Sequence, residues 1–110
     1  MQIEYSAQKL IRKMDSLGFV EATVGTRYIR EAVQIAHELD RAMMCKDIYP
    51  ELAKRHNVTP SAVEKAIRTA VAKAKGSPFW EYQWKELGGW GDPTNSEVIM
   101  RLLRESQYAN

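Results

Sequence analysis

The chain is expected to be all-α, a compact bundle of about six helices containing a helix-turn-helix. Three observations predict this. Apolar residues recur at three- and four-residue spacing along most of the 110 residues. Gly or Pro punctuates the chain between such stretches, at Gly18, Gly76-Ser77-Pro78, Gly88-Gly89 and Pro93. No stretch alternates polar and apolar side chains as a half-buried strand does, so no β-strand is expected.

The first helix is expected over about Tyr5 to Leu17, with Leu10, Ile11, Met14 and Leu17 as its stripe and Gly18 as its stop. After a connection from Phe19 to Gly25, a second helix is expected over about Thr26 to Met43. Tyr28, Ile29, Ala32, Val33, Ala36, Leu39 and Met43 form its buried face. Glu31, Ile35 and Glu38 fall on its surface, and Arg27 with Glu31 forms an i,i+4 pair. A third helix starts near Asp47, an N-cap candidate, tolerates Pro50 in its first turn and ends around His56.

Asn57 then stands where a left-handed residue is needed, and Val58 is expected to plug the turn. Thr59 caps the fourth helix with Pro60 at its first position, although Ser61 with Glu64 offers a competing capping box. That helix runs to Lys75 and stops at Gly76-Ser77-Pro78. Val63, Ala66, Ile67, Ala70, Val71 and Ala74 form its inner face. A short helix follows over about 80–87. Thr94 with Glu97 caps a last helix to about Gln107, with Val98, Ile99, Leu102 and Leu103 facing the core.

The length suits one domain over 1–110, and 45% apolar with 27% charged residues is globular composition rather than disorder. No apolar run is long enough for a membrane span, and MQIEYSAQKL is no signal peptide, so a cytoplasmic address is expected. Cys45 is alone, without an internal disulfide partner, and reads as a small apolar residue near a helix end.

The net charge of +2 says little, but its distribution says more. Residues 46–75 carry seven basic against three acidic side chains, a net of +4. Residues 1–45 balance, and 76–110 sum to −2. Positive charge thus gathers on the two helices flanking Asn57, as on a phosphate-binding surface.

In a helix-turn-helix the outer face of the second helix meets base edges. That face holds Ser61, Ala62, Glu64, Lys65, Arg68 and Thr69. Arg68 or Lys65 suits guanine O6 and N7, and Ala62 or Thr69 a thymine methyl. Glu64 has three readings: accepting from cytosine N4, capping the helix, or repelling phosphates. Lys54, Arg55, His56, Thr59, Lys73 and Lys75 are placed for the phosphate backbone. The partner expected is double-stranded DNA.

His37 and His56 belong to no metal-ligand constellation. Gly88-Gly89-Trp90-Gly91 lacks the lysine and strand of a phosphate loop. Asp15, Glu31 and Glu38 show no pairing for acid–base work, and no nucleophile has an evident base. Neither catalysis nor a cofactor is expected. The aromatic stretch Phe79, Trp80, Tyr82, Trp84 and Trp90 reads as a tie onto the core, with a stacking platform or an interaction patch as alternatives. Trp90 is the one expected in solvent.

Four ordered motifs carry a family resemblance: Gly25-x-x-Tyr28-Ile29-Arg30-Glu31-Ala32; Ile48-Tyr49-Pro50-x-Leu52-Ala53-Lys54 with Asn57-x-Thr59; Ser61-x-Val63-Glu64-Lys65-Ala66-Ile67-Arg68-x-Ala70; and Pro93-Thr94-Asn95-Ser96-Glu97. Over about residues 6 to 106 the chain resembles the C-terminal effector domain of the sporulation stage-zero protein A family of response regulators. The resemblance implies six helices with the fourth as recognition helix. It also implies a transcription factor reading a promoter box with a TGTCG-like core, usually in tandem copies on which a dimer can form. Family contacts carry over to Ser61, Glu64 and Arg68, and to Lys65 in place of the family's usual arginine.

Lysine loses the bidentate fork, so guanine discrimination should weaken there. Ala62 stands where the family has arginine, Thr69 replaces a histidine, and the tryptophans of 76–91 have no family counterpart. These departures imply altered or relaxed box specificity. The family's receiver domain has no counterpart in these residues, which fits either an excised domain or a stand-alone protein. The second function class is therefore a receiverless interaction module, pairing with a full-length regulator or an RNA polymerase sigma factor.

Overall fold

The computed structural model describes residues 3–39 and 44–109. Along it run β1 (Ile3–Tyr5), α1 (Ala7–Leu17), α2 (Val24–Glu38), α3 (Tyr49–His56), α4 (Pro60–Lys75), α5 (Trp80–Glu86), α6 (Asn95–Ser106) and β2 (Gln107–Ala109). The chain is all-α apart from the two terminal strands. These pair antiparallel, Ile3 opposite Ala109 and Tyr5 opposite Gln107. They correct the expectation of no strand: three residues are too few to show a two-residue period, and the pairing joins the two ends of the chain.

Local chemistry sets the helix ends. The Ser6 side chain accepts from the Lys9 amide at 3.2 Å and opens α1. Gly18 closes it at φ 98°, a left-handed conformation that glycine enters without a Cβ penalty. Leu10, Met14 and Leu17 face inward as expected. In α6 the reciprocal Thr94–Glu97 capping box is present, and Val98, Ile99, Leu102 and Leu103 enter the core.

Helix α2 is the central element, packed on α4, α6 and α3. Its first turn lies so close to α4 that a Cβ on Gly25 would sit 2.1 Å from the Ala66 carbonyl oxygen. It begins earlier than expected and ends at Glu38, before Met43. Leu39 leaves the helix in extended backbone and is 44% exposed. Met43 lies outside the described residues. Ile35, expected on the surface, is buried because a π-helical turn (Met44–Ile48) and α3 pack against that flank. Asp47 sits inside this turn, so Ile48 takes the cap position of α3.

Helix α5 is anchored by Trp80 and Trp84, whose rings stack at 5.4 Å, with Phe19 edge-on to Trp80 at 6.3 Å. Phe79, Tyr82 and Trp90 are exposed, Trp90 at 84%. The aromatic stretch is therefore split, half core and half surface.

Candidate nucleic-acid interface

Helices α3 and α4 meet at a turn fixed by backbone preference. Asn57 is at φ 54°, ψ 48°, the only non-glycine with positive φ among the described residues. The Val58 amide donates to the Ala53 carbonyl at 3.0 Å. The Val58 side chain does not plug the turn; it is 41% exposed. Leu52, Ala53, Val63 and Ile67 are the residues buried around the turn instead. Thr59, in extended backbone, accepts from the Ala62 amide at 3.1 Å, with Pro60 in the first turn. Ser61 is already helical, so its competing capping box does not form.

Val63, Ile67, Ala70, Val71 and Ala74 are buried and Ala66 is partly so, which turns the opposite face of α4 outward. Ser61, Ala62, Lys65, Arg68, Thr69 and Lys73 are exposed, and Glu64 is half-exposed. All six expected base-edge residues thus share one accessible strip. Arg68 leans on Glu64, Nη1 lying 3.3 Å from the carboxylate. Lys65 has no ion-pair partner among the described residues.

The expected phosphate-facing residues divide. Lys54 and Lys73 are exposed and without an ion-pair partner among the described residues. Arg55 pairs with Glu51 at 3.1 Å on the α3 surface. Thr59 uses an acceptor lone pair in its cap, which leaves the hydroxyl hydrogen to donate. Lys75 turns away, its Nζ 2.6 Å from both Asp92 Oδ1 and the Pro93 carbonyl oxygen. His56 also turns inward. Its Nε2 lies 3.0 and 2.9 Å from the two carboxylate oxygens of Glu31, and its ring lies 4.8 Å from that of Tyr28.

Glu31 therefore pairs with His56 and not with Arg27. Sequence reasoning missed this contact because 25 residues separate the partners, and helical spacing reports only neighbours on one helix. His37 bonds Gln107 at 3.1 Å and stacks on Tyr5 at 5.4 Å, a packing role. Electrostatically, Glu51 and Glu64 each lie against an arginine of their own helix, while Lys54, Lys65 and Lys73 project their charge into solvent. Such a surface suits a polyanion whose groups lie along a groove.

The family model described as sporulation initiation factor Spo0A C terminal matches residues 10–105. The chain belongs to this family. The Spo0A C-terminal domain is a DNA-binding effector of transcription regulation in sporulation and not a catalytic family. The match takes in both helices around Asn57 and the whole exposed strip of α4. It agrees with the resemblance drawn from the four motifs. Among the described residues, no three His, Cys, Asp or Glu side chains gather as a metal site, and no helix is long and apolar enough to cross a membrane.

Proposed function

We propose that α3, the Asn57 turn and α4 act as a helix-turn-helix, with α4 the recognition helix of a sequence-specific transcription regulator. Ser61, Ala62, Glu64, Lys65, Arg68 and Thr69 meet base edges in the major groove. Lys54, Arg55, Thr59 and Lys73 meet phosphates, and His56 and Lys75 contribute only if their internal bonds open. The observation that carries this reading is the exposed strip of α4, whose Lys65 and Lys73 have no ion-pair partner among the described residues, on a chain of a DNA-binding family. Residues 1–110 work as one unit, and the box has the TGTCG-like core the resemblance implies.

Electrophoretic mobility shifts with a TGTCG-containing duplex and a scrambled duplex test it. Preferential retardation of the first is expected, with log affinity falling by about 0.9 per neutralised phosphate as log salt rises. Equal affinity for both duplexes would remove the base-reading role.

A second reading is favoured by Phe79, Tyr82 and Trp90, residues that are 62%, 66% and 84% exposed. Such rings suit a protein partner, RNA polymerase or another regulator, bound beside the DNA or in place of it. Pairing of two copies on tandem boxes is compatible with either reading.

A further inference from the structure

We infer that His56 serves the DNA-binding face by position and not by touching the duplex: its bond to Glu31 locks the end of α3 onto α2 and so sets the aim of α4. The inference rests on the helix-turn-helix reading above.

The bond sits where it has most leverage. A carboxylate only accepts, so Nε2 is the donor to Glu31, at 3.0 and 2.9 Å from its two oxygens. Both side chains are about a quarter exposed, 27% and 26%, and the Tyr28 ring backs the imidazole at 4.8 Å. The next residue, Asn57, is where the chain reverses. Fewer than two turns earlier on α2, Gly25 lies against Ala66 in the middle of α4. One rigid helix therefore holds the body of α4 at one point and the end of α3 at another. The two holds together fix the angle through which Asn57 delivers the recognition helix. A phosphate contact by Nε2 would break this bond and loosen the element that must be aimed.

The test compares the affinity of the full chain for a TGTCG-containing duplex and a random duplex across a salt series. The variants are Glu31→Ala, Glu31→Gln, His56→Ala and Glu31→Ala with His56→Ala. Glu31→Ala is expected to weaken binding to the box about two- to tenfold, the scale of one hydrogen-bonded pair, without weakening binding to random duplex. The double variant should be no worse than either single one, as for residues acting as a unit. Glu31→Gln, which keeps an acceptor, should recover most of the loss. If His56→Ala weakens both duplexes alike and lowers the salt slope by about 0.9, His56 is a phosphate contact and the inference is overturned.

Amide hydrogen exchange on the free chain gives an arm independent of DNA. In Glu31→Ala the amides of Val58, Ala62 and Val63 should lose protection while those of α6 keep it. Unchanged protection at the turn overturns the inference. A wild-type chain with no preference for the box removes the helix-turn-helix reading and the aiming role with it; the exchange arm then decides the bond to α2 alone.

Discussion

Asn57 passes through a region of backbone space that costs most L-residues about 1–2 kcal/mol and that Asn tolerates through its short polar side chain. Asn57→Ala should therefore destabilise the domain by about 1 kcal/mol and Asn57→Gly should be close to neutral, measured by urea unfolding at constant m. Arg68 projects from the exposed strip of α4, paired with Glu64. Arg68→Ala should cost about 1–3 kcal/mol on a cognate duplex and relax the requirement at one base pair, read from binding to single-substituted boxes. Equal losses on cognate and random duplex would make Arg68 a backbone contact. At this scale, residues whose role follows from their own helix were legible: Thr59 as cap, Asn57 as left-handed pivot, the outward strip from Ser61 to Thr69. His56 and Lys75 were not, because their partners Glu31 and Asp92 come from other elements and carry no periodic signal.

Among the elements, α4 was the most legible because its pattern is amphipathic and capped at a defined residue, so its bounds and faces follow from the sequence. Helix α2 was misjudged at its far end, where helical spacing continues past Glu38 but Leu39 leaves the helix in extended backbone. Its close approach to α4 gives a test. Gly25→Ala places a Cβ against the Ala66 carbonyl and should cost about 1–3 kcal/mol, seen as a lowered thermal midpoint with unfolding still cooperative. An unchanged midpoint would contradict the close approach of α2 to α4.

The β1 edge adds a pH dependence. Burial raises the Tyr5 phenol above its ordinary value, partly offset by the positive charge of Arg30. A raised folded pKa leaves its stabilisation fully present below the usual phenol range and loses it as pH rises through the folded value. Tyr5→Phe should therefore flatten the fall in thermal midpoint above about pH 10.

For the whole molecule, one central helix, α2, carries α4 on one side and α6 on another, while α1 and the tryptophans of α5 close the far end. The outer sides of α3 and α4 face solvent, and Lys54, Lys65 and Lys73 place positive charge there. The charge asymmetry is legible in the sequence because it depends on residue types alone. That Lys75 and His56 turn inward, and so narrow the phosphate-facing set, emerged only from the packing. In the reading proposed above, the outer strip of α4 enters the DNA. The most direct measurement is amide chemical-shift mapping of the isotope-labelled chain during titration with a TGTCG-containing duplex. The largest shifts are expected at Ser61, Ala62, Glu64, Lys65, Arg68 and Thr69, with α1 nearly silent; shifts centred on α5 and Trp90 with that strip unmoved would rule out entry of α4 into the groove.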